Sequence, residues 1–307
     1  MSRRAWGRLV QVAVFAIVLY FLYAYVAVHW EELRHSSGAL EVHAGYLAAA
    51  AAIILGTYAM LIAAWDAVLR GWDQRLPYRD AARIWCLSNL ARYVPGRVWQ
   101  IAGMAALAQQ AGVSPWAAVG SSIVIQFVNI GTGVLVTAIF APGFGHPVLI
   151  VAAGLVTAAG AAMLAWPTGA SLAARALNRV SGRGIELRAV RPGALLLSAG
   201  VTFVQWIAYG LALALCVRGL TGRGINLTAA IGVFTGSYTA GLINVFTPAG
   251  IGTREYILVD WLTGQLHGPA AAILVTAGSR ILMTATELLA ALVVLPLTRQ
   301  RADGHED

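Results

Sequence analysis

IWCLSNLARYVPGRVWQIAGMAALAQQA, residues 84–111, is apolar enough to enter a bilayer and too interrupted to cross it as a plain helix. Pro95-Gly96 sits near its centre, flanked by Arg92 and Arg97. Proline and glycine break helices, and arginine is costly in hydrocarbon. A second run of this kind, PAGIGTRE, occupies 248–255. Neither suits a lipid-facing wall. Both suit broken helices that line a polar cavity, because non-helical backbone at membrane depth is tolerated only where protein or water covers it.

The rest of the chain supplies the membrane context. Of 307 residues, 59% are hydrophobic and 11% charged, with a mean hydropathy of +0.73. A soluble domain carries about 25% charged residues, so this is a polytopic membrane protein with no polar stretch long enough for a soluble catalytic domain. All 21 basic residues are Arg, and the net charge is +8. Basic loops facing an anionic leaflet account for that charge without nucleic acid. Cys86 and Cys216 lie in apolar runs, with no disulfide framework. The six His are scattered without ligand spacing, so no metal site is expected. There is no GxSxG, no DxD and no Walker A sequence, so neither a catalytic centre nor a cofactor is expected.

Apolar runs long enough to span occur at about 9–29, 45–65, 116–140, 147–166, 193–217, 225–246 and 270–296. The first follows Arg3, Arg4 and Arg8 and is too long for a signal-peptide core, so it reads as an uncleaved span with the N-terminus in the cytoplasm. The stretch 66–83 holds Arg70, Arg75, Arg79 and Arg83, and the stretch 167–192 holds Arg175, Arg179, Arg183, Arg188 and Arg191. Both belong inside. A full crossing by 84–111 would put the second outside. A re-entrant 84–111 keeps every loop before 193 in accord with the rule. The second interrupted stretch, 251–267, reads either as a short crossing that brings Arg299 and Arg301 inside, the reading preferred here, or as a re-entrant turn that puts the C-terminus outside. The expected fold is therefore an all-α polytopic membrane protein with about eight transmembrane helices plus at least one re-entrant helical segment. One integral membrane domain covers 1–301, with a weak internal repeat of about 1–166 and 193–296, in which Asn89 and Pro95-Gly96-Arg97 correspond to Asn244 and Pro248-Ala249-Gly250. The tail 302–307 is acidic and expected to be disordered.

Two clusters could carry chemistry. The first is Asn89, Arg92, Tyr93, Pro95, Gly96, Arg97, Trp99 and Gln100. Arginine binds phosphate bidentately, and a helix that starts after Pro-Gly offers free N–H groups to an anion. The second is Pro248, Gly250, Gly252, Arg254 and Glu255. Glycines permit positive φ and close approach, while Arg254 and Glu255 point about 100° apart on a helix and need separate partners. Arg280, Thr284 and Glu287 share one face of the last span, so Glu255 with Arg280, or Arg254 with Glu287, are the available cross-helix pairs. Polar stripes on other spans support a lined interior: Ser122, Gln126 and Asn129; Thr202, Gln205 and Tyr209; Thr235 with Tyr238 or Thr239. The plainer reading of such stripes is interhelical glue.

RYVPGRVW at 92–99, the Gln126/Asn129 stripe, PAGIGTRE at 248–255 and the late Arg280/Glu287 pair together resemble the flippase-like membrane region of the lysylphosphatidylglycerol synthase family. Ala249 stands where glycine is more usual. The resemblance spans essentially the whole chain. It implies a membrane domain that moves aminoacylated or glycosylated lipids between leaflets. Full-length synthases add a soluble aminoacyl-transferase domain, which residues 1–307 do not contain, so aminoacyl transfer is not expected here.

The expected function is a lipid flippase of the inner (plasma) membrane acting on a phosphate-bearing lipid, aminoacylated, glycosylated or polyprenyl. The expected substrate-binding residues are Asn89, Arg92, Tyr93, Pro95, Gly96, Arg97, Trp99, Gln126, Asn129, Pro248, Gly250, Gly252, Arg254, Glu255, Arg280 and Glu287. Expected partners are membrane lipids with anionic or lipid-linked headgroups. A different reading is a non-transporting lipid-binding partner of a separate transferase or glycosyltransferase, and an oligomer is compatible with either.

Overall fold

A computed structural model describes residue 20 and residues 42–93, 98–143, 147–182, 184, 186–243 and 252–295. The side chains of Arg92, Val98, Val180 and Ser181 are not described. Apart from Tyr20, the expected span at 9–29 lies outside these residues, as do the tail 302–307 and the motif residues Pro95, Gly96, Arg97, Asn244, Pro248, Ala249 and Gly250.

The described residues form ten α-helices and no strand. In chain order these are α1 (Ala44–Arg70), α2 (Tyr78–Leu90), α3 (Val98–Gln110), α4 (Pro115–Phe140), α5 (Pro147–Ala165), α6 (Pro167–Ser181), α7 (Pro192–Thr221), α8 (Leu227–Ile243), α9 (Thr253–Leu266) and α10 (Pro269–Val294). A 3-10 turn, Ala91–Tyr93, continues α2. Five of the helices open on proline, whose φ is already helical and whose missing N–H falls where a helix start has no acceptor. Helices α6 and α7 stop at Gly182 and Gly222, both with positive φ.

Five helices, α1, α4, α5, α7 and α10, are long and apolar enough to cross a membrane. These match the runs at 45–65, 116–140, 147–166, 193–217 and 270–296. Helix α8 matches the run at 225–246 but has 17 residues, about 26 Å at 1.5 Å per residue. Helix α9 has 14 residues, about 21 Å, short of a hydrocarbon core of about 30 Å. The expected crossing by 251–267 thus falls to a helix too short to span alone.

The helix ends sort into two groups. At one end Trp72 Nε1 donates to Ala189 O at 2.9 Å, Ser114 N donates to Gln74 Oε1 at 3.1 Å, and Arg191 pairs with Asp73 at 2.8 Å. Arg188 lies 4.1 Å from the Trp116 ring centroid. The loops before α2, after α3 and before α7 therefore meet, and Arg70, Arg75, Arg79, Arg83, Arg175, Arg179, Arg188 and Arg191 gather at this end. At the other end His43 N donates to Gly219 O at 2.8 Å, and Arg223 donates to Leu266 O at 2.8 Å. A Cβ on Gly232 would strike the Phe140–Ala141 backbone there.

Helices α2 and α3, 13 residues each and about 20 Å long, consequently leave the arginine-rich end and return to it, packed against each other. Helices α8 and α9 pack together and have their outer ends at the opposite end. The stretch 167–192, read above as loop, contains α6, which buries Ala170, Ala173 and Ala174 and exposes Arg175 and Arg179. Tryptophans anchor the centre: Trp65 and Trp206 are fully buried, the first donating to Ser121 Oγ at 3.0 Å and the second to Thr132 Oγ1 at 3.2 Å.

Candidate functional site

The inner ends of the two short helix pairs converge on one cavity. Its described lining comes from α2 (Trp85, Asn89), α3 (Gln100, Ile101, Met104), α4 (Ser122, Gln126, Asn129), α7 (Gln205, Trp206, Tyr209), α8 (Tyr238, Gly241, Leu242) and α9 (Arg254), with Leu61 of α1. It has about 60 Å³ of space for water centres, room for several waters.

Within this wall, polar groups meet in two different ways. Gln100 Nε2 donates to Asn89 Oδ1 at 2.7 Å, tying α3 to α2 beside the break. In contrast, Trp85 Nε1, Asn129 Oδ1 and Gln205 Oε1 are buried and make no hydrogen bond within the protein. An unsatisfied buried polar atom carries a desolvation penalty of about 1–3 kcal/mol, and these three belong to residues that line the cavity.

Arg254 enters this cavity from the first turn of α9 and is 3% exposed. Its guanidinium lies 3.4 Å from both Ser279 Oγ and Met283 Sδ and rests near the Phe234 and Tyr238 rings, 5.2 and 5.8 Å from their centroids. Trp206, Tyr209, Phe234 and Tyr238 form one aromatic cluster, with centroids 5.4 to 6.2 Å apart in the contacting pairs. The adjacent Glu255 turns elsewhere, as the helical step requires. Its Oε2 accepts from Gly252 N at 2.8 Å and its Oε1 accepts from Arg280 Nη1 at 3.0 Å. Gly252 sits at φ 92°, a conformation that glycine adopts freely.

The lysylphosphatidylglycerol synthase transmembrane region matches residues 8–291. The chain belongs to that family. No curated protein matches it. In this lysylphosphatidylglycerol synthase-type membrane region the two motif regions are thus neighbours in space although about 160 residues apart in sequence, since Asn89 and Arg254 line the same cavity.

A second polar group lies against α10. The Tyr93 hydroxyl donates to Glu287 Oε2 at 2.9 Å and shares a hydrogen bond with Thr284 Oγ1 at 3.0 Å. Tyr93, Thr284, Arg280 and Glu287 are all buried. The expected face of α10 is therefore real and inward, and Glu255–Arg280 is the pairing formed of the two available.

Of the expected site residues, Asn89, Gln126, Asn129 and Arg254 line the cavity. Tyr93, Glu255, Arg280 and Glu287 form the polar contacts behind it. Trp99 is 57% exposed and stands outside the lining. Pro95, Gly96, Arg97, Pro248, Gly250 and the Arg92 side chain lie outside the described residues. The polar stripes divide. Ser122, Gln126 and Asn129 all line the cavity, as do Gln205, Tyr209 and Tyr238. Thr202 instead bonds Thr132 across helices at 3.2 Å, and Thr235 bonds its own helix at Ile231 O. Trp85 and Trp206 were not singled out from the sequence. Only the single Trp of α2, and an i, i+3 aromatic pair Trp206/Tyr209 in α7, could have pointed to them.

Proposed function

We propose that this protein transports a phosphate-bearing lipid between the leaflets of the plasma membrane, and that it does so without catalysing a chemical change. The observation that carries this reading is the cavity where the inner ends of α2, α3, α8 and α9 meet around Arg254, with orphaned polar atoms in its wall. Helices α2 and α3 act as a re-entrant hairpin from the arginine-rich end, which we assign to the cytoplasm by the excess of Arg. Helices α8 and α9 enter from the other end. Two helix pairs from opposite sides with their inner ends at one central site suit alternating access, in which one pair parts while the other stays closed. Membrane-region membership of the lysylphosphatidylglycerol synthase family supports a lipid as cargo. The carboxylates nearest the site favour transport over catalysis, because Glu255 is held by Gly252 N–H and Arg280, and Glu287 by Tyr93.

Purified protein in liposomes carrying a headgroup-labelled anionic lipid tests the proposal. Exchange between leaflets is expected to exceed that of empty liposomes, and Arg254→Gln is expected to slow it about tenfold, the loss of one charge-assisted phosphate contact. Exchange no faster than in empty liposomes for anionic and polyprenyl lipids alike would sink it.

A further inference from the structure

We propose that the outward face of α9 borders water and not lipid tails, from beside the cavity to the outer end of the helix. It forms one wall of the passage by which a headgroup enters or leaves on the side away from the arginines. The inference rests on the lipid-transport reading and assigns that site its outer route.

Depth comes first. With α10 crossing the membrane over Pro269–Val294, the bilayer middle falls near Ile281. The start of α9 stands at that level, because Glu255 accepts from Arg280 and Arg254 lies against Ser279 and Met283. Helix α9 then runs to the outer end, where Arg223 donates to Leu266 O. Asp260 lies one and a half turns beyond Glu255, a rise of about 7.5 Å. The hydrocarbon core reaches about 15 Å either side of its middle, so Asp260 sits well inside it.

Exposure decides what Asp260 meets there. It is exposed, and its side chain makes no hydrogen bond or ion pair among the described residues. A carboxylate against hydrocarbon is costly, and acidic groups at membrane depth face the bundle interior or water. Asp260 does not face the interior. Nor does it stand alone: Thr253, Tyr256, Asp260, Thr263 and Gly264 share one face of α9 at helical spacing. Tyr256 is 75% exposed, and Gly264 is exposed. The opposite face, Leu258, Leu262 and Leu266, is fully buried. That is the pattern of a helix packed on protein with water outside, and α9 lacks the apolar character of α8. Helix α5 shows the lipid-facing pattern instead, with Val148, Val151, Leu155 and Val156 each 60 to 70% exposed. The polar face of α9 begins beside Arg254, which lines the cavity, and ends at the outer end, so water on it joins the two. Asp260 has the same sign of charge as a lipid phosphate. It wets the wall and does not hold the headgroup.

The test is carboxyl labelling of the full chain in lipid nanodiscs, read site by site by mass spectrometry. A water-soluble and a lipid-soluble carbodiimide are compared. Asp260 is expected to react with the water-soluble reagent within about fivefold of the rate of the loop residue Asp73, since both carboxylates are hydrated. Reaction with the lipid-soluble reagent alone overturns the proposal, and this arm uses the unsubstituted protein. Thiol labelling in liposomes gives a second measurement. Tyr256→Cys and Asp260→Cys are expected to react with a charged, membrane-impermeant thiosulfonate at least about tenfold faster than Val151→Cys and Leu155→Cys, because only a hydrated thiol forms the reactive thiolate. The α5 positions lie about 6 and 12 Å from the outer end of their helix, bracketing about 9 Å for Asp260. Cys86 and Cys216 are buried and set the background. Rates no faster than those of the α5 pair overturn the proposal. So does a disulfide between the Asp260→Cys residues of two copies, which makes a second copy the occupant of this face. Asp260→Leu dries the wall and is expected to slow leaflet exchange about tenfold; exchange at the unsubstituted rate overturns the assigned route. Labelling without exchange of any lipid defeats transport and leaves the hydrated face standing, whereas exchange without labelling defeats the hydrated face and leaves transport standing.

Discussion

Tyr93 and Glu287 meet at 2.9 Å across 194 residues of sequence, fastening the inner end of the α2 turn to the middle of α10. The contact is buried and charge-assisted, and Thr284 joins it at 3.0 Å. Tyr93→Phe removes the hydroxyl and leaves a buried carboxylate short of a donor, at a cost of about 1.5–3 kcal/mol. Thermal unfolding in detergent should show the loss. Leaflet exchange should slow as well, because the inner end of the α2 turn loses its fixed position against α10. An unchanged melting temperature would mean that this end of α2 is held by other contacts.

The Glu255–Arg280 pair predicts non-additivity. Both side chains are largely buried, at 13% and 9% exposed. Removing one partner strands the other charge, so Arg280→Met should destabilise by about 3–5 kcal/mol. The double variant Glu255→Gln/Arg280→Met removes both charges and should recover more than half of that loss. Glu255 also accepts from Gly252 N–H, and glutamine can keep that bond through its carbonyl. Additive losses in denaturant or thermal unfolding would contradict the pair.

These two contacts mark where sequence reading succeeds and where it stops. The face carrying Arg280, Thr284 and Glu287 was legible, because helical spacing alone aligns residues seven apart. The choice between Glu255–Arg280 and Arg254–Glu287 was not, because it depends on how α9 and α10 are set against each other. The return of α2 and α3 to one end was legible through Arg70, Arg75, Arg175 and Arg188, whose charge marks a side of the membrane without reference to contacts. Helix α6 was missed because its arginines dominate the stretch 167–192 and hide the buried Ala170, Ala173 and Ala174. Thr202 and Gln205 shared a stripe, and only the neighbours of each decide that the first bonds Thr132 while the second faces the cavity.

Close packing at the end away from the arginines gives a third prediction. A Cβ on Gly232 would strike the backbone of Phe140 and Ala141, which cannot move aside as a side-chain end can. Gly232→Ala should push α8 from α4 and destabilise by about 1–3 kcal/mol. Gly154 on α5 has nothing within 4 Å of such a Cβ, so Gly154→Ala should be neutral or slightly stabilising through helix propensity. Equal melting temperatures for the two variants would contradict the close approach of α8 to the α4 terminus.

Gly252 carries the last prediction, because two demands meet there. Its φ of 92° lies where an L side chain is strained, although a Cβ would find open space. Any loss on Gly252→Ala is therefore conformational, about 1–3 kcal/mol. The strain can be relieved only by turning the backbone, and that turns its N–H away from Glu255 Oε2 at 2.8 Å. Because Glu255 also holds Arg280, and Arg254 is its neighbour on the first turn of α9, the displacement should reach the cavity. Gly252→Ala should thus slow leaflet exchange and weaken phosphatidic acid binding about as much as Arg254→Gln does, roughly tenfold, through lost aim at the phosphate. A variant that melts lower but binds phosphatidic acid as before would confine Gly252 to a stability role and detach this helix start from the site.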